Sequence, residues 1–126
     1  MIEADQFVSK DGLIERFVDL PDLLARVEND RELLAELFAM FQEEVPVLQA
    51  ALHDAANIGD LPETATAAHT LKGMLANMSM KQGASLAASI EASARSGNES
   101  AIKMTLVAFD SEIAAVSTAV DAFVAG

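Results

Sequence analysis

Leu34, Phe38, Phe41, Val45, Leu48, Leu52 and Ala55 step along the chain by alternating fours and threes. That spacing gathers them on one face of a helix as a core-facing seam. The same alternation returns in Ile102, Leu106, Phe109, Ile113, Val116, Val120 and Phe123. Between the two seams, Leu61, Thr64, Ala68, Leu71, Leu75 and Met78 form a third stripe. The pattern predicts helices over residues 31–58, 61–78, 80–96 and from 99 onward, with a short one over 20–27 in front.

Punctuation between the seams agrees. Asp19-Leu20-Pro21-Asp22 and Asp60-Leu61-Pro62-Glu63 each offer an Asp N-cap, a first-turn proline and a further acid suited to the helix dipole. Asn29-Asp30 separates the first two helices, Gly59 ends the second, and Gly97-Asn98 ends the fourth and caps the fifth. Ser79-Met80-Lys81-Gln82 reads as a capping box with Ser79 as N-cap. Pro46 removes a backbone donor inside the second helix, so a kink is expected near residues 42–45. The fold class is therefore all-α: an antiparallel four-helix bundle over residues 19–126 with a short additional N-terminal helix. Residues 1–18 form an N-terminal extension whose Ile2, Phe7, Leu13, Ile14, Phe17 and Val18 are expected to pack on the bundle, as a helix or as a strap.

Composition narrows the function classes. With 126 residues the chain is long enough for one domain with a real core. It has no cysteine, which excludes disulfides and thiolate chemistry, and no Trp or Tyr. No stretch has the length of an apolar membrane span and no leader is evident, so a cytoplasmic protein without membrane partners is expected. A net charge of −12 argues against nucleic acid. Residues 1–63 hold 15 acids and 4 bases, whereas residues 64–126 hold 5 and 4, so the third helix lies in a nearly neutral half. The six methionines read as core filler, with Met74 as the exception.

One position on the third helix stands out. His69 lies roughly 130° from the centre of its apolar stripe and should face outward. Its neighbours on that face are Ala65, Thr66, Lys72, Gly73 and Ala76, four of them small. A glycine inside a helix costs about 1 kcal/mol relative to alanine, so Gly73 answers a need other than helix stability. Neutral imidazole is a nucleophile near neutral pH, Lys72 can offer a cation to phosphoryl oxygens, and Gly73 with Ala76 leaves room for a partner. Ala65, Thr66, Met74 and Ala76 make up the expected docking surface. His53, beside Asp54, reads as a surface or boundary histidine. A di-iron bundle would need Glu three residues before each histidine, but Ala50 and Thr66 stand there, so no metal site is expected.

Ala68-His69-Thr70-Leu71-Lys72-Gly73, with Ala76-Asn77 behind it, resembles the histidine-containing phosphotransfer (HPt) domain family. The family pattern is A-H-x-L-K-G-x-x-A-N-x-G with a hydrophobic–acidic pair about twenty residues beyond the histidine, matched here by Ile90-Glu91. The resemblance runs from about Asp19 to the C-terminus, and it departs at Ser79-Met80, where the family usually has Gly-Ala. It implies a phosphorelay intermediate in two-component signalling, phosphorylated on His69 and exchanging the group with aspartates of response-regulator receiver domains. It implies a sensor or hybrid histidine kinase upstream. It also implies that Glu91 hydrogen-bonds and orients the imidazole, with Arg95 near the same surface. The domain itself would need no cofactor, since the receiver brings Mg²⁺. The chain has no glycine-rich phosphate loop or P-loop lysine, so a phosphocarrier rather than an enzyme with its own ATP site is expected. The alternative is a helical adaptor that binds partner proteins through the same surface without phosphorylation, a role that requires none of His69, Lys72 and Gly73.

Overall fold

The computed structural model describes residues 12–125. Five α-helices follow a single 3-10 turn at Ile14–Arg16: α1 (Leu20–Arg26), α2 (Arg31–Asn57), α3 (Leu61–Asn77), α4 (Lys81–Arg95) and α5 (Glu99–Ala125). Among the described residues there is no strand. The four longer helices pack in chain order, α3 against α2 and α4, and α5 against α4 and α2. The result is a helical bundle, and short connections alternate its helix directions.

Helix starts are where short-range chemistry puts them. Asp19, Asp30 and Asp60 accept the backbone N–H of Asp22, Leu33 and Glu63, and the Asn98 side chain accepts from Ala101 N–H. Each satisfies a donor that the first turn leaves without a helical partner. Both long seams are buried, with Leu48 and Phe123 only partly so. α2 passes through Pro46 as one helix, and the proline faces solvent.

The strap before α1 enters the same core. Ile14 and Val18 are fully enclosed, while Leu13 and Phe17 pack against the cluster from its edge. The expectation for Ile2 and Phe7 falls outside the described residues.

The α3–α4 turn differs from the expected capping box. Met80, not Ser79, precedes α4, and it makes no side-chain cap. Ser79 instead adopts the left-handed conformation, φ +56°, at the turn position where the resembling family usually carries glycine. An L-residue pays roughly 1–2 kcal/mol there. Two contacts offset that cost. The Ser79 hydroxyl donates to Asp22 Oδ2 at 2.6 Å, and its carbonyl accepts Asp19 N–H at 2.9 Å. Lys81 adds an ion pair to Asp19 at 2.8 Å. These contacts tie α1 to the α3–α4 turn.

Candidate functional site

His69 sits midway along α3, on the edge that faces α4, and its side chain is 62% exposed. Glu91, on α4, points at it from below. The seam of α4 buries Ala87, Ile90 and Ala94, and it carries the neighbouring Glu91 to 7% exposure. A carboxylate so enclosed needs partners. Glu91 has three: Lys72 Nζ donates to Oε1 at 2.7 Å, Arg95 Nη2 to Oε2 at 2.7 Å, and His69 Nδ1 lies 3.0 Å from Oε2. The Lys72 ammonium first and the Arg95 guanidinium second hold the Glu91 carboxyl at about 2, against the opposing effect of burial.

This arrangement fixes the tautomer of the histidine. A carboxylate ionised at every physiological pH can only accept, so His69 Nδ1 carries the hydrogen. In the neutral ring the lone pair therefore resides on Nε2, the nitrogen at the tip of an exposed side chain. The site is an exposed imidazole held in one orientation by a buried anion, with two cations close by.

Gly73 is explained by what is missing around it. A Cβ built there meets nothing within 4 Å, and the backbone is ordinary helix. Neither internal packing nor an unusual backbone angle calls for glycine. Gly83 on α4 shows the contrast, because a Cβ there would lie 3.3 Å from Leu75 Cδ1 in the α3–α4 seam. Gly83 lets two helices approach each other, whereas Gly73 keeps space clear on the outside, beside His69.

The remaining expected site residues divide. Thr66 and Ala76 are exposed on the His69 side of α3, and Met74 is half-buried against the core. Ala65 is a correction: it is 5% exposed and belongs to the core, so it offers no docking surface. Because α3 packs against both α2 and α4, its buried arc spans roughly 160° from Ala67 to Ala65, wider than the apolar stripe alone suggests. Lys72, expected to face phosphoryl oxygens, is engaged with Glu91. Arg95 does lie at this surface and pairs with the same carboxylate.

A second polar cluster joins α2 to α5. His53 Nε2 lies 2.8 Å from Asp110 Oδ2, and Gln49 Nε2 donates to Asp110 Oδ1 at 2.7 Å. The Gln49–His53 spacing of four residues, which forms one polar edge on a helix, was the available signal. Among the described residues, no group of three or more His, Cys, Asp or Glu is placed to hold a metal, and no helix is long and apolar enough to cross a membrane.

Comparison with protein families matches the Hpt domain over residues 32–122. Comparison with curated proteins and with solved structures returned no match.

Proposed function

Because this chain belongs to the Hpt domain family, whose members are phosphocarriers of two-component phosphorelays, we propose that His69 is its phospho-accepting residue. In this reading Nε2 attacks the phosphorus of an acyl phosphate on a receiver aspartate. The N–P bond forms, the P–O bond to the aspartate breaks, and the carboxylate leaves. The ring acquires positive charge in the process and keeps its Nδ1 hydrogen, which the Glu91 carboxylate is already placed to stabilise. Return of the group to a second receiver aspartate is the reverse of the same step.

Phosphoryl transfer needs positioning and charge compensation more than covalent help from the protein. Lys72 and Arg95 supply two positive charges against the single negative charge of Glu91, which leaves the site net cationic for an arriving phosphoryl group. Gly73, Thr66 and Ala76 leave the approach to Nε2 open, with Met74 at its edge. The receiver brings the Mg²⁺, and a sensor or hybrid histidine kinase stands upstream.

The observation that carries this reading is the His69–Glu91 contact, because it leaves the outward nitrogen as the nucleophile. The test is transfer of labelled phosphate from a phosphorylated receiver, or from a small phosphodonor, to the purified chain. An acid-labile, base-stable label on wild type and none on His69→Gln is the expected result. A well-folded chain that stays unlabelled with every donor would overturn it and move the adaptor role ahead.

A further inference from the structure

The outward side of α2 joins an apolar row to charges of a single sign. Leu33, Met40 and Val47 are 39%, 47% and 68% accessible. They recur every seven residues, so they form one line along the helix with about 10.5 Å between neighbours. Glu36 and Glu43 stand beside this line on one side and Glu44 on the other, all exposed. Between residues 32 and 57 the helix carries no Lys or Arg. Acids elsewhere have bases: Asp19 has Lys81, Asp22 has Arg26, and Glu91 has Lys72 and Arg95. Among the described residues, Glu36, Glu43 and Glu44 have none.

We propose that this face docks a cationic amphipathic helix of a partner protein. Its apolar stripe lies against Leu33, Met40 and Val47, and its Lys or Arg side chains meet Glu36, Glu43 and Glu44 along both flanks. The sign of the charge excludes other occupants. A second copy docking through the same face would set carboxylates against carboxylates in either direction. Nucleic acid or an anionic lipid surface would be repelled in the same way.

The spacing selects a helix. A partner helix lying nearly along α2 repeats its own stripe every seven residues, in register with Leu33, Met40 and Val47. An extended segment presents one face about every 6.8 Å and loses register after one step. α3 packs against both α2 and α4, and His69 sits on its α4 edge, beside Glu91. A partner held on α2 therefore leaves Nε2 uncovered. The face is an anchor separate from the transfer site, and it needs no phosphorylation, so its test is independent of the role of His69.

The probe is a synthetic helical peptide of about 21 residues, three heptads, with Leu along the stripe and Lys on both flanks. It is titrated calorimetrically into the full chain beside a counterpart in which Glu replaces every Lys. The Lys peptide binds one to one with a dissociation constant on the order of 100 µM, a weak and transient complex. The Glu peptide does not bind. Met40→Ser with Val47→Ser weakens binding about tenfold, and Glu36→Gln with Glu43→Gln about three- to tenfold. Two control pairs on α5 separate this face from general attraction to an acidic chain. Met104→Ser with Val107→Ser removes apolar groups that are 75% and 72% accessible, and Glu99→Gln with Glu112→Gln removes an equal charge. Both control pairs bind within about twofold of wild type. Backbone amide shifts on adding the peptide centre on α2. The substituted α2 positions are all exposed, and helicity and thermal midpoint are measured for every variant. Absence of binding up to about 1 mM, equal weakening in the control pairs, or amide shifts centred on another helix overturns the proposal.

Discussion

His69 and His53 are built from the same parts and end in opposite geometries. Each stands on a long helix with a carboxylate facing it from the neighbouring helix, Glu91 at 3.0 Å and Asp110 at 2.8 Å. The difference is which ring nitrogen the carboxylate takes. Glu91 holds Nδ1, the nitrogen next to the backbone, and leaves the tip of the ring outward. Asp110 takes Nε2 itself, with contacts from both oxygens, so the tip of His53 is closed into the α2–α5 seam. Around Glu91 stand two cations and an open glycine, while around Asp110 stands an amide. A histidine–carboxylate pair thus closes the ring tip or leaves it open according to the nitrogen it uses.

The widest separation between the two sites is in labelling. His69→Gln is expected to abolish phosphoryl acceptance, while His53→Gln leaves it at the wild-type level; equal loss in both would erase the contrast. Next in size is the orienting carboxylate. Glu91→Ala removes a charge-assisted hydrogen bond to the ring and should slow transfer about 10- to 100-fold, whereas Asp110→Ala should leave the rate unchanged. Rapid-quench transfer from one phosphorylated receiver measures both.

Gly73 gives a prediction in which stability and activity move apart. Gly73→Ala should stabilise the fold by about 1 kcal/mol, because the added Cβ meets nothing. Gly73→Leu keeps part of that gain but obstructs the approach to Nε2 and slows transfer. Thermal melts alongside transfer rates check the pair. His53→Ala should do the reverse, losing about 1 kcal/mol of stability from its hydrogen bonds at an unchanged transfer rate.

Acid dependence offers a further contrast. The Glu91 carboxyl is held at about 2 in the folded chain against an ordinary 4.5. Its contribution to stability is complete above about 4.5 and is lost as pH falls towards 2. Denaturant melts of Glu91→Gln should therefore fall less steeply than wild type across that window.

How much of this was legible in the sequence depends on the range of the physics involved. Asp19, Asp30, Asp60 and Asn98 cap their helices with bonds to residues three positions on, so a short window of sequence is enough to find them. The seams were legible because helical period alone gathers them. Ala65 was not, because its burial depends on a second helix beside α3. Nor was Ser79: local pattern favoured an N-cap, but a hydroxyl bond to Asp22, 57 residues away, supports the left-handed turn instead. Glu91 was legible as a partner of His69 through the resemblance. Its grip on Lys72 depends on how α3 and α4 lie side by side.

The separations along the chain also set an order of assembly. His69 and Glu91 are 22 residues apart, on two consecutive helices joined by a short turn, whereas His53–Asp110 and Asp22–Ser79 each span 57. Closing a shorter loop costs less entropy, and contacts of low sequence separation form sooner. The α3–α4 hairpin can therefore bring the imidazole and its carboxylate together before α1 and α5 are in place. His69 and Glu91 lie on one hairpin, so the proposed transfer site sits on the pair of helices with the shorter loop to close.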